Sequence, residues 1–474
     1  MIPVPEDRRP PMTPQLALRV AVVGSFALAM FAIIFFRLWF LQVLSGDQYL
    51  HAATVNRVRR IPVAAQRGEI LDRSGHILVD SRQALAVQIS PPDLPKSAAA
   101  QRRLYRRLAP VLGMSTRRVT CKVLVPQPSG PPRLVAERLA RIPCDVAQQL
   151  AITSYANVTL KTDVHPQVQF YLAERQNQFP AVIVRKIYVR NYPRGGVAAQ
   201  LIGTVGPINA QEFGQPGYLG IPRTAIIGQS GLEAAYDHFL RGSDGAETVS
   251  VDSLGQPTGR HSVTPPVAGH NLALSLDEKL QTVGEQALAQ SVASNYPATG
   301  GAFVAMNPQD GSIYAMGSWP TYNPGIFNNN LSQAAYDRLI SKSAGEPLLN
   351  RATNSAGPTG STFKPITAAA ALQSGAWTVG SSYTDTGSFC TSPGVCRFNA
   401  GHATYGTLDL RNAIRVSSDV FFYHLGALTN VADPLAKPQG GPLQTWSRSF
   451  GIGRKTGMDV PGELAGTLPS PAWR

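Results

Sequence analysis

Between Val20 and Phe36 the chain carries no charged residue, reading VAVVGSFALAMFAIIFF. Extended through Leu38–Leu44, with Arg37 running its guanidinium to the interface, this stretch is long enough to cross a ~30 Å hydrocarbon core as one helix. Trp39 falls where an interfacial aromatic lies. A cleaved signal peptide is the competing reading, and Ala27-Leu28-Ala29 resembles a cleavage site. That tripeptide sits inside the apolar run rather than after it, which favours an uncleaved anchor. No second run of this length follows, so everything after residue 45 is expected on one side of a membrane. Arginines flank both ends of the run, so charge does not fix which side.

The remaining sequence has enough apolar material for buried cores, 43% hydrophobic against 15% charged, and is too long for one ordinary domain. The net charge of +14 is concentrated in arginines of the first third: Arg57, Arg59, Arg60 and Arg67, then Arg102, Arg103, Arg106 and Arg107. Such a balance suits anionic lipid or anionic wall polymer. Nucleic acid is not expected as a partner, because zinc-finger spacing and RNA-binding aromatic signatures are missing. Most of these arginines read as solvated faces. The cysteines form two close pairs without metal or redox spacing. Thr-Ser-Pro-Gly-Val between Cys390 and Cys396 reads as a turn and favours a bridge; for Cys121 and Cys144 a bridge and two free thiols stay equally open.

From Thr54 to about Gly269 short β-like runs alternate with helical stretches. IPVAAQRGEILDRSGHILVDSRQALAVQIS reads as successive strands with a turn at Ser74-Gly75. Lys96 to Leu108 reads as a basic amphipathic helix, and Asp145 to Tyr155 as a helix capped by the aspartate. AETVSVDSLGQPTGRH adds further strands before Pro265-Pro266, taken as a domain boundary. Beyond it, a strand leads into a helix whose start is marked by Asp277. GGAFVAMNPQDGSIYAMGSW then reads as a hairpin around Asn307–Gly311.

Chemistry concentrates in GPTGSTFKPITAAAAL, residues 357–372. Ser361 and Lys364 form a Ser-x-x-Lys at the first turn of a helix. Residues i and i+3 share a helix face, which brings the lysine amine towards the serine hydroxyl. A serine at a helix start also places its N–H where a developing oxyanion is stabilised. A lysine desolvated among positive neighbours loses its proton and serves as a base. Some distance on, AIRVSSDVFFYHLG places Ser417-Ser418-Asp419 before an aromatic-rich helix, where it also reads as an N-cap.

Ser-x-x-Lys followed by Ser-x-Asn or a close variant marks penicillin-binding transpeptidases and serine β-lactamases. Aspartate at 419 departs from that general pattern and is similar to the elongation-type penicillin-binding protein 2. The resemblance extends to AAQRGEILDRSG (64–75), RNYPRGGVAAQLIGTVGPIN (190–209), GQSGLEAAYDHFLRG (228–242), PLLNRATNSAGPTGSTFKP (347–365) and GIGRKTGMDVPGELAGTLPSPAWR (451–474). The chain therefore resembles a class B penicillin-binding protein over nearly all of its length after the apolar run.

Lys455-Thr456-Gly457 spells the third motif of that family but is read as a coincidence. It follows too soon after Asp419, and Gly451, Gly453, Gly457, Pro461 and Gly462 give it a loop composition rather than that of an edge strand. On this reading Arg474 is reached before the third motif, and an incomplete transpeptidase domain is expected.

The resemblance implies an α+β multidomain chain: a cytoplasmic tail over 1–19, an anchor over 20–44, a mixed α/β pedestal (dimerisation) domain over 54–266, and a partial, serine β-lactamase-like transpeptidase domain over 270–474. It implies Ser361 as nucleophile, Lys364 as general base, Ser417 as proton relay and Asp419 as a positioning group. The expected partners are peptidoglycan stem peptides, β-lactams, the cell membrane and other wall-synthesis membrane proteins, with most of the chain extracytoplasmic. No metal or organic cofactor is implied. The alternative is a non-catalytic membrane scaffold, favoured by the missing third motif. A β-lactam sensor or β-lactamase is disfavoured by the single membrane run and the long pedestal. The strand-rich pedestal also leaves no room for the glycosyltransferase domain of a class A enzyme.

Overall fold

The computed structural model describes residues 14–40, 58–125, 133–152, 157–209, 211–251, 257–329, 331–430 and 438–473. The first helix runs Pro14–Trp39, and its Leu18–Trp39 segment is long and apolar enough to cross a membrane. Among its described side chains, Phe26, Phe31 and Phe35 are all exposed. Residues 41–44 of the expected anchor lie outside the described residues.

The N-terminal α/β unit is organised by one long strand, Ile77–Ile89, paired antiparallel with Val182–Asn191 from Asp80↔Asn191 to Ile89↔Val182. Val158–Lys161 pairs on its other edge, and Ile70–Leu71 returns through the tight turn at Ser74-Gly75, where Gly75 takes a φ of +83°. Val87 and Ile89 point down into a core closed by Leu104 and Leu108 of the Ala98–Val111 helix and by Ile142 and Val146 of Arg141–Ile152. The opposite face of Ala98–Val111 carries Arg102, Arg103, Arg106 and Arg107 into solvent, as expected. A separate antiparallel sheet joins Val58–Val63, Gly245–Val251 and Pro257–Thr264; residues 252–256 lie outside the described residues.

Two readings need correction, and one left open is decided. The helix expected from Asp145 begins at Arg141, so Asp145 lies inside it and pairs with Arg141 instead of capping it; residues 153–156 are not among those described. Arg67 is no solvated side chain. It is 8% exposed and holds Glu233 and Asp237, while Glu233 also takes Arg190. Cys121–Cys144 and Cys390–Cys396 are both disulfides, which closes the alternative left open for the first pair.

The two α/β units share a core rather than merely touching. Leu272–Ala273 adds in parallel to Ile70–Leu71, and Gly68 passes so close to His270 that a Cβ there would lie 1.9 Å from its carbonyl oxygen. Ile70, Leu78, Leu201, Leu232 and Leu240 pack with Leu276, Met316 and Val460 in one cluster. The Glu278–Ser294 helix is capped by Asp277, which accepts from Leu280 N, and it lies on the Gly301–Met306/Ile313–Trp319 hairpin. A third core gathers Ala368, Ala371, Leu408, Leu410, Ala413, Phe421 and Leu425. Burying Phe421 completely contributes about 2–3 kcal/mol.

Candidate active site

Gly360 enters the site with a φ of +59° in open space, so its requirement is conformational rather than steric. That bend starts a 3₁₀ turn, Gly360–Phe363, which runs directly into the Lys364–Gln373 helix with proline in its first turn. Ser361 is therefore exposed at the mouth of a helix, while Lys364 is 8% exposed beneath it. Ala368, Ala370 and Ala371 are buried, and their small side chains let the Asp419–Thr429 helix pack close by.

The second strip comes from the break between the helices Leu410–Val416 and Asp419–Thr429. Ser417 occupies that break in the left-handed region, with a φ of +58°. Ser418 is the N-cap of the second helix, accepting from Phe421 N at 3.0 Å. The cap read from the sequence thus coexists with the motif: Ser418 serves the helix and Ser417 is left free for the site.

All four sequence-derived site residues meet. Ser417 Oγ donates to Ser361 Oγ at 3.0 Å. Lys364 Nζ donates to Ser417 Oγ at 2.9 Å and to Ser417 O at 2.6 Å, and it pairs with Asp419 Oδ1 at 2.7 Å. No direct hydrogen bond joins Lys364 to Ser361, so the expected lysine-to-nucleophile contact is replaced by a relay through Ser417. The positive neighbours expected around the lysine are replaced by the Asp419 carboxylate. Phe422 packs its ring 5.8 Å from the lysine amine. The chain of groups from solvent inward is a hydroxyl, a second hydroxyl, an amine and a carboxylate, an arrangement suited to activating one exposed serine and shuttling its proton.

Beside the third core, the Asp419–Thr429 helix carries an aromatic wall. His424 stacks on Tyr383 at 4.2 Å and meets Trp377 edge-on, and burial holds its imidazole below the usual histidine range. Sequence reasoning missed this wall, because Tyr383 and Trp377 carry no motif of their own.

Lys455-Thr456-Gly457 is a loop. Thr456 donates through its N–H and hydroxyl to Glu463, Gly457 adopts a φ of +86°, and Val460 is anchored in the shared core. Among the described residues, these make no hydrogen bond or ion pair with Ser361. A cavity of about 550 Å³ also lies elsewhere, between Gln200, Thr204, Tyr322, Asn350, Thr353 and Val460.

Asp72, His76 and Glu278 bring possible metal-ligating atoms within 4.8 Å of one another, a grouping the sequence spacing did not reveal. The Asp72 oxygens already accept the N–H groups of Ser74, His76 and Glu278. Those contacts account for the carboxylate as a turn and junction element.

Residues 62–274 match the penicillin-binding protein dimerisation domain, and residues 301–474 match the penicillin binding protein transpeptidase domain. The chain is 30% identical over 437 residues to the peptidoglycan D,D-transpeptidase MrdA of Acinetobacter baumannii, covering 92% of this chain and 58% of that protein. The chain thus spans less than two thirds of that relative. Among solved structures, a complex between PBP2 and MreC from Helicobacter pylori superposes with a TM-score of 0.62 at 21% identity, covering 88% of this chain and 70% of that one. A peptidoglycan synthase complex that coordinates polymerization and crosslinking gives 0.57 at 28% identity, covering 96% and 70%.

Proposed function

The chain belongs to the penicillin-binding proteins, joining a dimerisation domain to a transpeptidase domain, and from that premise we propose that it is a peptidoglycan D,D-transpeptidase working through an acyl-serine. Ser361 Oγ attacks the carbonyl of the penultimate D-Ala of a stem peptide, and its proton passes through Ser417 Oγ to Lys364. The tetrahedral oxyanion is held at the helix mouth by the Ser361 N–H. As it collapses, the proton returns by the same hydroxyl to the departing amine, and D-Ala leaves. An amine of a neighbouring strand then attacks the ester, regenerating Ser361 and leaving a cross-link. Penicillin enters at the same serine, its opened ring remaining as the acyl group.

The observation that carries this reading is the relay itself. Lys364 to Ser417 to Ser361 is one continuous line of donors, with Asp419 holding the amine in place. As the hydrogen bonds stand, the relay points its donors towards Ser361, the direction needed for protonating the leaving group. Activation of Ser361 runs it in reverse: Lys364 then acts as the neutral amine, its two N–H groups on Ser417 O and Asp419 and its lone pair facing the Ser417 hydroxyl, which rotates to donate there and accept from Ser361.

The same proposal places 1–19 in the cytoplasm, 20–44 in the membrane, and both the 54–266 pedestal and the 270–474 catalytic region outside. The MrdA relative and the two structural neighbours support an elongation-type role beside other wall-synthesis membrane proteins.

The test is covalent labelling of the 474-residue chain in membranes by a fluorescent penicillin, beside Ser361→Ala. Labelling that disappears in the variant is the expected result. No labelling of the parent chain would overturn the catalytic reading and favour a scaffold.

A further inference from the structure

Behind the Ser417–Asp419 turn sits a carboxylate that acyl transfer itself does not use. Asp385, at the end of the Ser382–Asp385 strand, is 0% exposed. Its Oδ1 accepts from Gly387 N at 2.7 Å and Asn399 Nδ2 at 3.0 Å. Its Oδ2 accepts from Asn399 Nδ2 at 2.8 Å and Ser418 Oγ at 2.6 Å. Asn399, 4% exposed, also donates from Nδ2 to Ala403 O at 2.8 Å and accepts at Oδ1 from Val420 N at 3.0 Å. Asp385 and Asn399 flank a hairpin, Ser388–Ser392 with Val395–Phe398, whose strands are cross-linked by Cys390–Cys396.

This network has one permitted polarity. Every group facing Asp385 is a donor, so an amide in its place would set a donor against Asn399 Nδ2 whichever way it turned. Flipping Asn399 to compensate would remove its bonds to Val420 N and Ala403 O. A buried carboxylate of this kind is a poor device for stability alone, since well-packed apolar groups serve as well or better. What it does fix is direction. Ser418 and Val420 lie on either side of Asp419, and Ser418 directly follows Ser417. The network therefore pins the backbone where Ser417 adopts its left-handed φ, a conformation that a side chain other than glycine does not hold without support.

We propose that Asp385 and Asn399 are positioning residues for acyl transfer: they hold the start of the Asp419–Thr429 helix so that Ser417 Oγ stays within hydrogen-bond reach of both Ser361 and Lys364. The proposal rests on the acyl-serine reading above. It adds two residues outside the motifs to the machinery, neither of which touches substrate.

Kinetics of penicillin labelling separate this from a structural role. Loss of fold lowers the fraction of chain that can be labelled, whereas misplacement of Ser417 lowers the rate constant while the full fraction is still labelled in the end. The detergent-solubilised 474-residue chain is compared as parent, Asp385→Asn, Asn399→Ser and Leu408→Ala, each below its own melting temperature. Leu408→Ala is the control for a weakened core. Asp385→Asn is expected to reach the parent end point with a rate lower by about 10- to 100-fold, the cost of a small misplacement. Asn399→Ser is expected to fall in between, and Leu408→Ala to keep the parent rate. Parent-like rates in both Asp385→Asn and Asn399→Ser would overturn the proposal. Should Asp385→Asn fail to fold, Asn399→Ser decides by the same readout.

Amide hydrogen exchange at Val420 and Phe421 reads the turn without any reference to activity. Faster exchange in Asp385→Asn is expected, and unchanged protection would refute the positioning. If the parent chain shows no Ser361-dependent labelling, the acyl-serine reading falls, and the exchange experiment alone then decides whether Asp385 holds the turn.

Discussion

Ser417 Oγ donates a hydrogen bond to Ser361 Oγ across 3.0 Å, from a residue whose backbone sits at a φ of +58°. Two properties of Ser417 can therefore be separated by substitution. Ser417→Ala removes the relay and keeps the strained backbone; Ser417→Gly removes the relay and relaxes the backbone. Both should slow penicillin acylation by about 10²–10⁴-fold, the range for losing a positioned proton-transfer group. Ser417→Gly should nonetheless be more stable than Ser417→Ala by about 1 kcal/mol, since glycine accepts the left-handed region without penalty. Thermal melting alongside stopped-flow labelling checks both. Equal melting temperatures would mean that the surrounding network, not the side chain, bears the strain.

Asp419 Oδ1 lies 2.7 Å from Lys364 Nζ, with the carboxylate side chain 30% exposed and the amine side chain 10%. The contact needs an oxygen acceptor, and asparagine offers one of the same shape. Asp419→Asn should keep acylation within about 10-fold of the parent, whereas Asp419→Ala, which leaves the amine without that partner, should lose about 10²-fold or more. The pseudo-first-order labelling rate at saturating penicillin measures it. An asparagine variant as slow as the alanine one would show that the charge, and not the acceptor, is what the site requires.

How much of this was legible depended on the range of each interaction. Asp277 as a cap, the hairpin around Asn307–Gly311 and Ser361-x-x-Lys364 at a helix mouth are local, and residues a few positions apart carry the whole signal. Asp145 misled because an aspartate marks a helix start only when the backbone ahead of it is non-helical, and here Arg141 already begins the helix. The lysine's direct reach to the nucleophile failed because Ser417 and Asp419, distant in sequence, supply better-placed acceptors for its amine. Asp385 and Asn399 were invisible for the same reason in stronger form: their partners arrive from the far side of a hairpin and from another helix. Arg67 read as one more surface arginine because its buried carboxylates, Glu233 and Asp237, lie far along the chain.

That last network makes its own prediction. Glu233 is 0% exposed and bridges Arg67 Nε at 2.5 Å and Arg190 Nε at 2.6 Å. Arg190 Nη2 is already buried with no hydrogen-bond partner among the described residues. Glu233→Ala would leave the buried Arg190 without its carboxylate and Arg67 with Asp237 alone, at a cost of about 3–5 kcal/mol. Chemical denaturation of the detergent-solubilised chain should show a lower midpoint at an unchanged slope. A loss under about 1 kcal/mol would mean that water enters and replaces the carboxylate.

Acid should weaken the junction where the two α/β units meet. Asp72 is buried in the turn before Ile77–Ile89 and also receives Glu278 N at the start of the Glu278–Ser294 helix. Burial pushes its carboxyl up, but hydrogen bonds from His76, Ser74 and Glu278 outweigh that and bring it down to about 2. A carboxyl held below its unfolded value of about 3.9 contributes stability that is complete above that value and is lost as pH falls through the folded one. The window is therefore about pH 4 down to about pH 2. Melting temperature should drop across that window in the parent chain. Asp72→Asn should start lower at neutral pH and fall less steeply, so that the two curves converge towards pH 2. Curves that stay parallel would place the acid-sensitive group elsewhere. Self-repulsion of this strongly basic chain acts on both proteins alike, so it shifts the two curves together and leaves their difference to report on Asp72.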